Sequence, residues 1–193
     1  IYDDGMRGAL AQFNGDTFNT ESIEVLKGSS AVLFGRGASG GIINQVSKTP
    51  FIGEQVHADI GFGNRGFKRI TTDINHAFND NIAFRFNAMS ERRDSFRKGV
   101  EGEKWGFAPS ITFGLGGDTQ LELGHKYEAE NNVPDFGVPY ESTGVGKATA
   151  SKSSYNQFFG YNTDFEKTRT NMTTAKVRHQ FNDTTKLTNT LRY

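Results

Sequence analysis

A regular alternation of apolar and polar residues runs through the chain after Pro50, and it restricts the possible folds more than any other feature. Val56, Ala58, Ile60 and Phe62, for example, alternate with more polar neighbours. A period of two places successive side chains on opposite faces of a β-strand, so each segment has one apolar and one polar face. The pattern predicts consecutive antiparallel strands at residues 56–62, 69–77, 82–91, 105–114, 119–128, 171–181 and 186–193.

The connections between these strands fall into two length classes. Tight polar turns are predicted at residues 78–81, 115–118 and 181–184, whereas long links are predicted from Arg92 to Lys104 and from Glu130 to Arg169. Short turns at one rim and long loops at the other are typical of transmembrane barrels of the bacterial outer membrane. A soluble β-sandwich would also show the alternation, but it gives less reason to sort the connections by length.

The composition agrees with an all-β chain and argues against several other classes. The 193 residues include 23 Gly and 17 Phe but only 4 Pro and 1 Trp, which favours short strands and turns over helical bundles. Basic and acidic residues number 22 each, so we expect no basic face and no nucleic-acid partner. A run of about 18 apolar residues is missing, which excludes a transmembrane helix but not a transmembrane barrel.

Catalytic and metal-binding patterns are not evident in the sequence. The chain has no Cys, which excludes thiolate ligands and cysteine nucleophiles. The 4 His residues lie on separate predicted strands without ligand spacing, and no combination of nucleophile, base and acid stands out. We therefore expect neither an enzyme nor a resident cofactor or metal.

Residues 35–40 read G-x-G-x-x-G, the spacing of a dinucleotide-binding turn. That motif needs a following helix, whose N-terminus meets the phosphates. Here the β-branched residues Ile42 and Ile43 follow instead. The sequence therefore predicts a glycine turn over residues 35–41 and a strand over residues 42–47, and the nucleotide interpretation is rejected.

The same part of the chain carries a family resemblance. Residues 23–50 read IEVLKGSSAVLFGRGASGGIINQVSKTP, which resembles the end of the plug domain in TonB-dependent siderophore receptors. The chain departs from the usual family sequence at Lys27, Ser29 and Phe34, where the family has arginine, proline and tyrosine, and these changes keep charge and size roughly intact. The resemblance implies the C-terminal part of a plug domain in residues 1–50 and the first strands of a large transmembrane barrel in residues 51–193.

A barrel of this family cannot be closed by these strands alone. Transporters of this class close with about 22 strands around a plugged lumen, and an open edge in lipid would leave backbone groups unpaired. The first residues also lack a basic and apolar leader. We therefore expect a fragment or part of a larger assembly, with the signal peptide and the TonB-contacting segment outside this sequence.

The resemblance implies a receptor in the bacterial outer membrane that imports a ferric siderophore with energy from the TonB–ExbB–ExbD complex. A catecholate siderophore is expected because residues 131–140 resemble a loop start of catecholate-type receptors. Receptors for cobalamin, haem or a glycan are the alternatives within transport, and a passive porin or an adhesin is the alternative from another class. The glycine-rich plug argues against the porin and the adhesin.

Two regions are expected to bind the ligand. Arg7 ends a D-G-x-R stretch that in the family leads into the plug apex, and its guanidinium suits an anionic chelate. The long loop is dense in aromatic residues that can stack on a catecholate ring. A solvated Arg7 and simple packing of the loop aromatics are the alternatives. The loop candidates are Phe136, Tyr140, Tyr155, Phe158, Phe159 and Tyr161.

Charged residues occupy the polar side of the alternating strands, and this predicts a polar lumen. On a lipid-facing side each Lys or Arg would cost about 2 to 4 kcal/mol at mid-depth. In the plug part, Glu24, Lys27 and Arg36 resemble family positions that latch the plug to the barrel wall, and the sequence does not reveal their partners. The lumen-facing charges are Asp59, Asp73, Arg85, Glu122, Lys126, Glu128, Lys176, Arg178 and Arg192.

Overall fold

The computed structural model describes residues 1–7, 15–28, 41–144, 147–150, 155–161 and 163–193, with backbone alone for 141–144 and 147–150. Within these ranges the regular secondary structure is almost entirely strand. The described residues contain no helix long and apolar enough to cross a membrane.

The first four strands form a small sheet in the order β2-β1-β4-β3. Only β1 and β4 run parallel, and the other two pairs are antiparallel. Tyr2, Ile42 and Leu26 pack together as its apolar core. The strands of this small sheet are β1 (Tyr2–Asp3), β2 (Met6–Arg7), β3 (Thr20–Leu26) and β4 (Ile42–Ser47).

The large sheet has seven strands in the order β13-β12-β9-β8-β7-β6-β5, all antiparallel to their neighbours. A separate hairpin lies between the fifth and sixth of these strands in chain order. The bounds are β5 (Gln55–Phe62), β6 (Lys68–Asn79), β7 (Ile82–Asp94), β8 (Glu101–Phe113), β9 (Thr119–Asn132), the hairpin strands β10 (Tyr140–Gly144) and β11 (Lys147–Ala150), then β12 (Glu166–Asn182) and β13 (Thr185–Arg192).

All seven predicted strands of the large sheet, called the wall from here on, are confirmed, and most are longer than predicted. The link predicted from Arg92 to Lys104 is wrong in extent: only residues 95–100 connect β7 to β8. Cross-strand ion pairs of Arg92 with Glu101 and Glu103 explain the extension, because they stabilise the ladder beyond its apolar part. At the other rim β8 ends at Phe113, since Gly114 adopts a positive φ of 76°.

The long loop predicted from Glu130 to Arg169 is also shorter than expected, and it is not a plain link. It covers residues 133–165 and includes the β10–β11 hairpin. The adjoining residues belong to the ladder, where Glu130 pairs with Thr168 and Asn132 with Glu166. Hairpin pairing satisfies backbone groups that an irregular loop would leave to water.

The strand predicted over residues 42–47 is confirmed as β4. The glycine turn predicted before it lies outside the described residues, except for Gly41. Gly41 has a φ of 134°, and a Cβ placed there would lie 2.8 Å from the carbonyl oxygen of Leu26. A side chain at Gly41 would therefore strain the junction between β3 and β4.

Connections of the large sheet are sorted by rim, as the sequence predicts. Residues 80–81, 114–118 and 183–184 form short turns at one rim, called the turn rim. Residues 63–67, residues 95–100 and the described residues between 133 and 165 lie at the opposite rim, called the loop rim. At the turn rim, Asn182 Oδ1 accepts hydrogen bonds from the backbone N–H groups of Thr184 and Thr185, which fixes a tight polar turn.

The two faces of the large sheet have opposite character, and the arrangement is the reverse of a water-soluble domain. The face towards the small sheet buries polar groups, and Asn75 and Asn87 are the largest fully buried side chains. The other face exposes large apolar residues such as Val56 and Ile60. A wall with lipid outside and a polar interior has this distribution.

Candidate functional site

The small sheet contacts the inner face of the large sheet through charged and polar side chains. Phe18, just before β3, is an apolar exception that packs on Met89 and Ala108 of the wall. Lys126 Nζ lies 5.7 Å from the Phe18 ring centroid. A Cβ at Gly106 would lie 3.2 Å from the Phe18 ring, so the missing side chain leaves room for this aromatic anchor.

Asp73 is the centre of the first charged contact, the Asp73 network of Asp73, Arg85, Lys48 and Glu21. Arg85 donates from Nε and Nη2 to the two carboxylate oxygens of Asp73, at 2.9 and 2.8 Å. Lys48 Nζ, from the segment after β4, lies 3.0 Å from Asp73 Oδ2. Arg85 also pairs with Glu21 of β3 at 3.2 Å. The bidentate geometry is the strong form of an arginine–carboxylate pair.

Backbone groups strengthen this contact. Arg85 Nη1 donates to the carbonyl oxygen of Thr49 at 2.9 Å. Buried Asn75 accepts from the Phe51 N–H at 3.1 Å and donates to the carbonyl oxygens of Phe51 and Gly53. The segment that leads from the small sheet into β5 is therefore fixed to the wall by both side-chain and backbone hydrogen bonds.

Asp16 makes the second charged contact, the Asp16 clasp of Asp16, Arg69, Glu91 and Glu128. Arg69 donates to both carboxylate oxygens of Asp16, at 2.8 and 2.7 Å, and to Glu91 at 2.6 Å. The Asp16 N–H donates to Glu128 Oε1 at 3.0 Å. Arg69 is the second residue of β6 and Glu91 lies three residues before the end of β7. The clasp therefore lies close to the loop rim.

The electrostatics of the clasp favour a charged Asp16. Burial alone would raise the pKa of Asp16, but the hydrogen bonds and the positive charge of Arg69 outweigh it and lower this pKa below its ordinary value. A carboxyl group whose pKa is lower in the folded state stabilises the fold above its unfolded pKa, and this stabilisation is lost as pH falls through the folded pKa.

Protection of the Phe18 amide should therefore be constant from about pH 8 to about pH 5 and decrease only below about pH 4. Phe18 N–H donates to Asp16 Oδ1 at 2.9 Å, so it reports on the clasp directly. Hydrogen exchange of the full-length protein, corrected for the intrinsic rate, measures this. Asp16→Asn should remove the acid step, and loss of protection between about pH 7 and pH 5 would contradict the assignment.

A third contact joins β1 to the last strand. Arg192 donates from Nη1 to the carbonyl oxygen of Asp3 and from Nη2 to Asp4 Oδ2, both at 2.9 Å. Burial raises the pKa of Asp3, and the charge of Asp4 raises it further, while Arg192 and Lys126 act in the opposite direction. These contacts place one end of the small sheet against β13, far in sequence from β1.

The predicted ligand-binding residues lie on exposed surfaces. Arg7 is an exposed residue of the edge strand β2, opposite Tyr2. In the long loop, Phe158 is half-buried and the other predicted aromatics are exposed. The exposed fractions are 88% for Phe136, 75% for Tyr140, 76% for Tyr155, 39% for Phe159 and 77% for Tyr161. These rings are available for stacking, and their role in binding stays a prediction.

The predicted latch residues are placed only in part. Glu24 accepts a hydrogen bond from Asn44 Nδ2 at 3.0 Å, within the small sheet. Lys27 is exposed just after β3, and Arg36 lies outside the described residues. Their latch role stays a prediction. The observed contacts with the large sheet come from other residues, which the sequence analysis did not single out: Asp3, Asp4, Asp16, Phe18, Glu21 and Lys48.

Some of the contact residues that the sequence analysis missed could have been predicted from the sequence. Arg69 and Glu91 share the inward parity of Asp73 and Arg85 on their strands, so the alternation alone could have identified them. Asp16 and Lys48 lie outside the alternating segments, and no pattern in the sequence marks them. Among the described residues, no group of three or more His, Cys, Asp or Glu side chains could hold a metal ion.

Comparison with known proteins shows the family to which this chain is similar. Residues 1–42 match the TonB-dependent receptor plug domain. The open form of the ferric-catecholate import receptor Fiu from Escherichia coli matches all of this chain with a TM-score of 0.88 and 36% identity, over 31% of its own chain. The chain belongs to the TonB-dependent receptor family. The small sheet is thus part of a plug and the large sheet part of a barrel wall.

Other members of the family are similarly close. The siderophore receptor PiuA from Acinetobacter baumannii has a TM-score of 0.89 at 33% identity, covering 99% of this chain and 28% of PiuA. In sequence, the catecholate siderophore receptor Fiu of Escherichia coli is 37% identical over 203 residues, and this chain spans 27% of its length. A plug–barrel boundary near residue 50 stays a prediction, since the plug match ends at residue 42 and β5 begins at Gln55.

Proposed function

We propose that the full-length protein imports a ferric siderophore of the catecholate type across the bacterial outer membrane, with energy supplied by the TonB–ExbB–ExbD complex. The observation that carries the proposal is a plug segment held inside a barrel wall by largely buried ion pairs. The relatives that match the whole length of this chain include a catecholate siderophore receptor. The chelate is the transported cargo.

The polar character of the contacts between plug and wall supports a transport role. The plug is attached to the wall mainly through charged and polar groups, with Phe18 as the apolar anchor. Water can replace such partners when the plug moves, whereas a large apolar interface would have to be exposed. A TonB-energised displacement can therefore release the plug without unfolding the wall.

The expected ligand site combines Arg7 with the aromatic loop. Catecholate rings stack on exposed aromatic faces, and a ferric tris-catecholate is an anion that a guanidinium can meet with paired hydrogen bonds. The Asp16 clasp holds Asp16 of the plug part near the loop rim. We expect the ligand to meet the plug at the rim that bears the aromatic loop.

Arg7→Ala in the full-length receptor should weaken the binding of a ferric catecholate about ten- to a hundredfold, because a charge-assisted contact contributes roughly 1.5 to 3 kcal/mol. Removal of residues 155–165, with the aromatics Tyr155, Phe158, Phe159, Tyr161 and Phe165, should weaken it at least as much. Neither change removes a strand of the wall. Fluorescence-quenching titration with ferric catecholates and ferric hydroxamates measures the affinities.

A matched control is Lys186→Ala, an exposed cation beside the turn rim. It should bind every chelate as the unmodified receptor does. Unchanged affinity in both site variants would show that the site is misplaced. A receptor that prefers ferric hydroxamates would refute the catecholate assignment, and one that binds no ferric siderophore would refute the proposed function.

A further inference from the structure

The outward face of the large sheet is organised in levels by the strand register. Next to the loop rim, Lys68, Arg92, Glu103, Asn131 and Lys167 are aligned across β6, β7, β8, β9 and β12. The next level towards the turn rim aligns Ile70, Ser90, Trp105, Ala129 and Arg169. A charged level therefore lies directly above a level that begins the apolar band.

Trp105 marks the upper boundary of this apolar band. Its ring centroid lies 5.0 Å from that of Tyr127 and 6.2 Å from that of Phe107. From Trp105 to Phe113 the outward residues of β8 are apolar, a distance of about 26 Å along the strand. Outer-membrane barrels have an apolar band of about 25 Å with aromatic residues at its edges. Trp105 is therefore at headgroup level.

An open groove of about 290 Å³ lies at this boundary. Its lining is Trp105, Tyr127, Ala129, Lys167 and Arg169, together with Glu103, Glu130, Asn131 and Thr168. Ala129 forms a low floor, because it is aligned between the much larger Trp105 and Arg169. Lys167 and Arg169 are two residues apart on one strand, so their side chains point the same way about 7 Å apart. Both can reach one small anion in the groove.

The cations of these two levels differ in their ion-pair partners. Arg92 is neutralised by Glu101 at 3.3 Å and Glu103 at 3.4 Å. Lys167 Nζ lies 5.2 Å from the Phe165 ring centroid. Among the described residues, no carboxylate forms an ion pair with Lys167 or Arg169. The two carboxylates of the lining have partners of their own, because Glu103 pairs with Arg92 and Glu130 with Lys104 at 3.5 Å. Lys167 and Arg169 are therefore the cations of the groove that can meet an anion above the aromatic edge.

We propose that Lys167, Arg169 and Trp105 bind the phosphate of an anionic lipid headgroup in the leaflet that surrounds the loop rim. The inference relies on the proposed placement of the barrel in the outer membrane. A guanidinium forms paired hydrogen bonds with phosphate oxygens, and lysine adds a second charge. The indole faces the acyl chains while its N–H stays near the headgroups. A soluble anion would gain nothing from the apolar band below.

The test compares the full-length receptor with its K167Q/R169Q variant in binding diphosphorylated lipid A, measured by native mass spectrometry in a neutral detergent. The variant should lose about 30-fold in affinity, since each cation near a charged membrane surface contributes about fivefold. Arg92→Gln is the matched control at the same level, and it should change affinity less than about threefold because its charge is already paired.

Unchanged lipid affinity in K167Q/R169Q would overturn the proposal, as would an equal loss in R92Q, which would indicate a general surface charge effect. Competition by inorganic phosphate at the same concentration as the lipid would also overturn it, because the site would then take the free ion. Ferric-catecholate affinity of K167Q/R169Q should be unchanged. A receptor that binds the lipid but no ferric siderophore would refute the proposed function and support this site.

Discussion

Asp73→Asn should free the junction between plug and wall and increase the exchange rates of the Lys48 and Phe51 amides by at least about a hundredfold. The substitution keeps the shape of the side chain but removes the charge that Arg85 and Lys48 share. Arg85 is only 5% exposed, so its charge would remain buried with Glu21 as its ion-pair partner. Breaking a buried pair on one side costs about 3 to 5 kcal/mol.

The two amides report on the plug side of this junction. Lys48 N–H donates to the carbonyl oxygen of Asn19, and Phe51 N–H donates to Asn75 Oδ1. Hydrogen exchange of the full-length receptor followed by mass spectrometry resolves them from the wall strands. Wall amides should stay protected, because their ladder hydrogen bonds do not involve Asp73 side-chain atoms.

Asp59→Asn is the matched control for this experiment. Asp59 also faces inward, but its side chain is 67% exposed, and its partners are His57 and the Thr71 hydroxyl. Its neutralisation should change the same amides less than about threefold. If Asp73→Asn leaves Lys48 and Phe51 protected, the Asp73 network does not hold the plug.

Arg69→Met should open the Asp16 clasp, with at least about a hundredfold faster exchange at the Asp16 and Phe18 amides. Methionine preserves length and packing but leaves Asp16 and Glu91 facing each other without their shared cation. Both side chains are nearly buried, at 11% and 12% exposure. Asp16 would lose the cation that it shares with Glu91, while Glu91 would keep Arg93 at 3.5 Å. Leaving a nearly buried carboxylate without its cation costs several kcal/mol, which is larger than the effect expected for a surface pair.

A double variant separates charge from packing. Asp16→Asn combined with Arg69→Met should be less damaging than the sum of the two single changes, because the neutral side chain no longer needs a cation. Arg93→Met is the control, since Arg93 is half-exposed and lies 3.5 and 3.7 Å from Glu91 and Glu130. Additive effects of the two substitutions, or an equally large effect of Arg93→Met, would contradict a specific clasp.

The two networks lie at different depths of the wall. Asp16 is clasped near the loop rim, where the ligand is proposed to bind, while Asp73 and Arg85 lie further towards the turn rim. The two substitutions therefore test the two networks independently.

Much of the wall could be predicted from the sequence, and the failures have a common cause. The alternation identified all seven strands, because the side-chain period of a strand does not depend on its neighbours. It gave their ends less well, since charged pairs such as Arg92 with Glu103 extend the ladder where no apolar residue marks it. It also missed the β10–β11 hairpin within the long loop.

The candidate site divides in the same way. The sequence predicted that Asp73, Arg85 and Glu128 face the interior, because they lie on the polar side of their strands. This prediction does not require their partners to be known. Their partners were not readable. Asp16 and Arg69 are 53 residues apart, and the Asp16 amide and Glu128 are 112 residues apart. Local patterns contain no information on contacts of that separation.

The sequence by itself determined an all-β chain with alternating strands and a polar inner face, because each depends on residue order over a few positions. The plug ending was implied by the family resemblance of residues 23–50. Only the tertiary structure decided which plug residues meet the wall. Asp16, Phe18 and Lys48 gain their roles from the position of the small sheet inside the large one. An ion pair or an aromatic contact requires both partners within a few ångströms, and that distance is set by the packing of the two sheets.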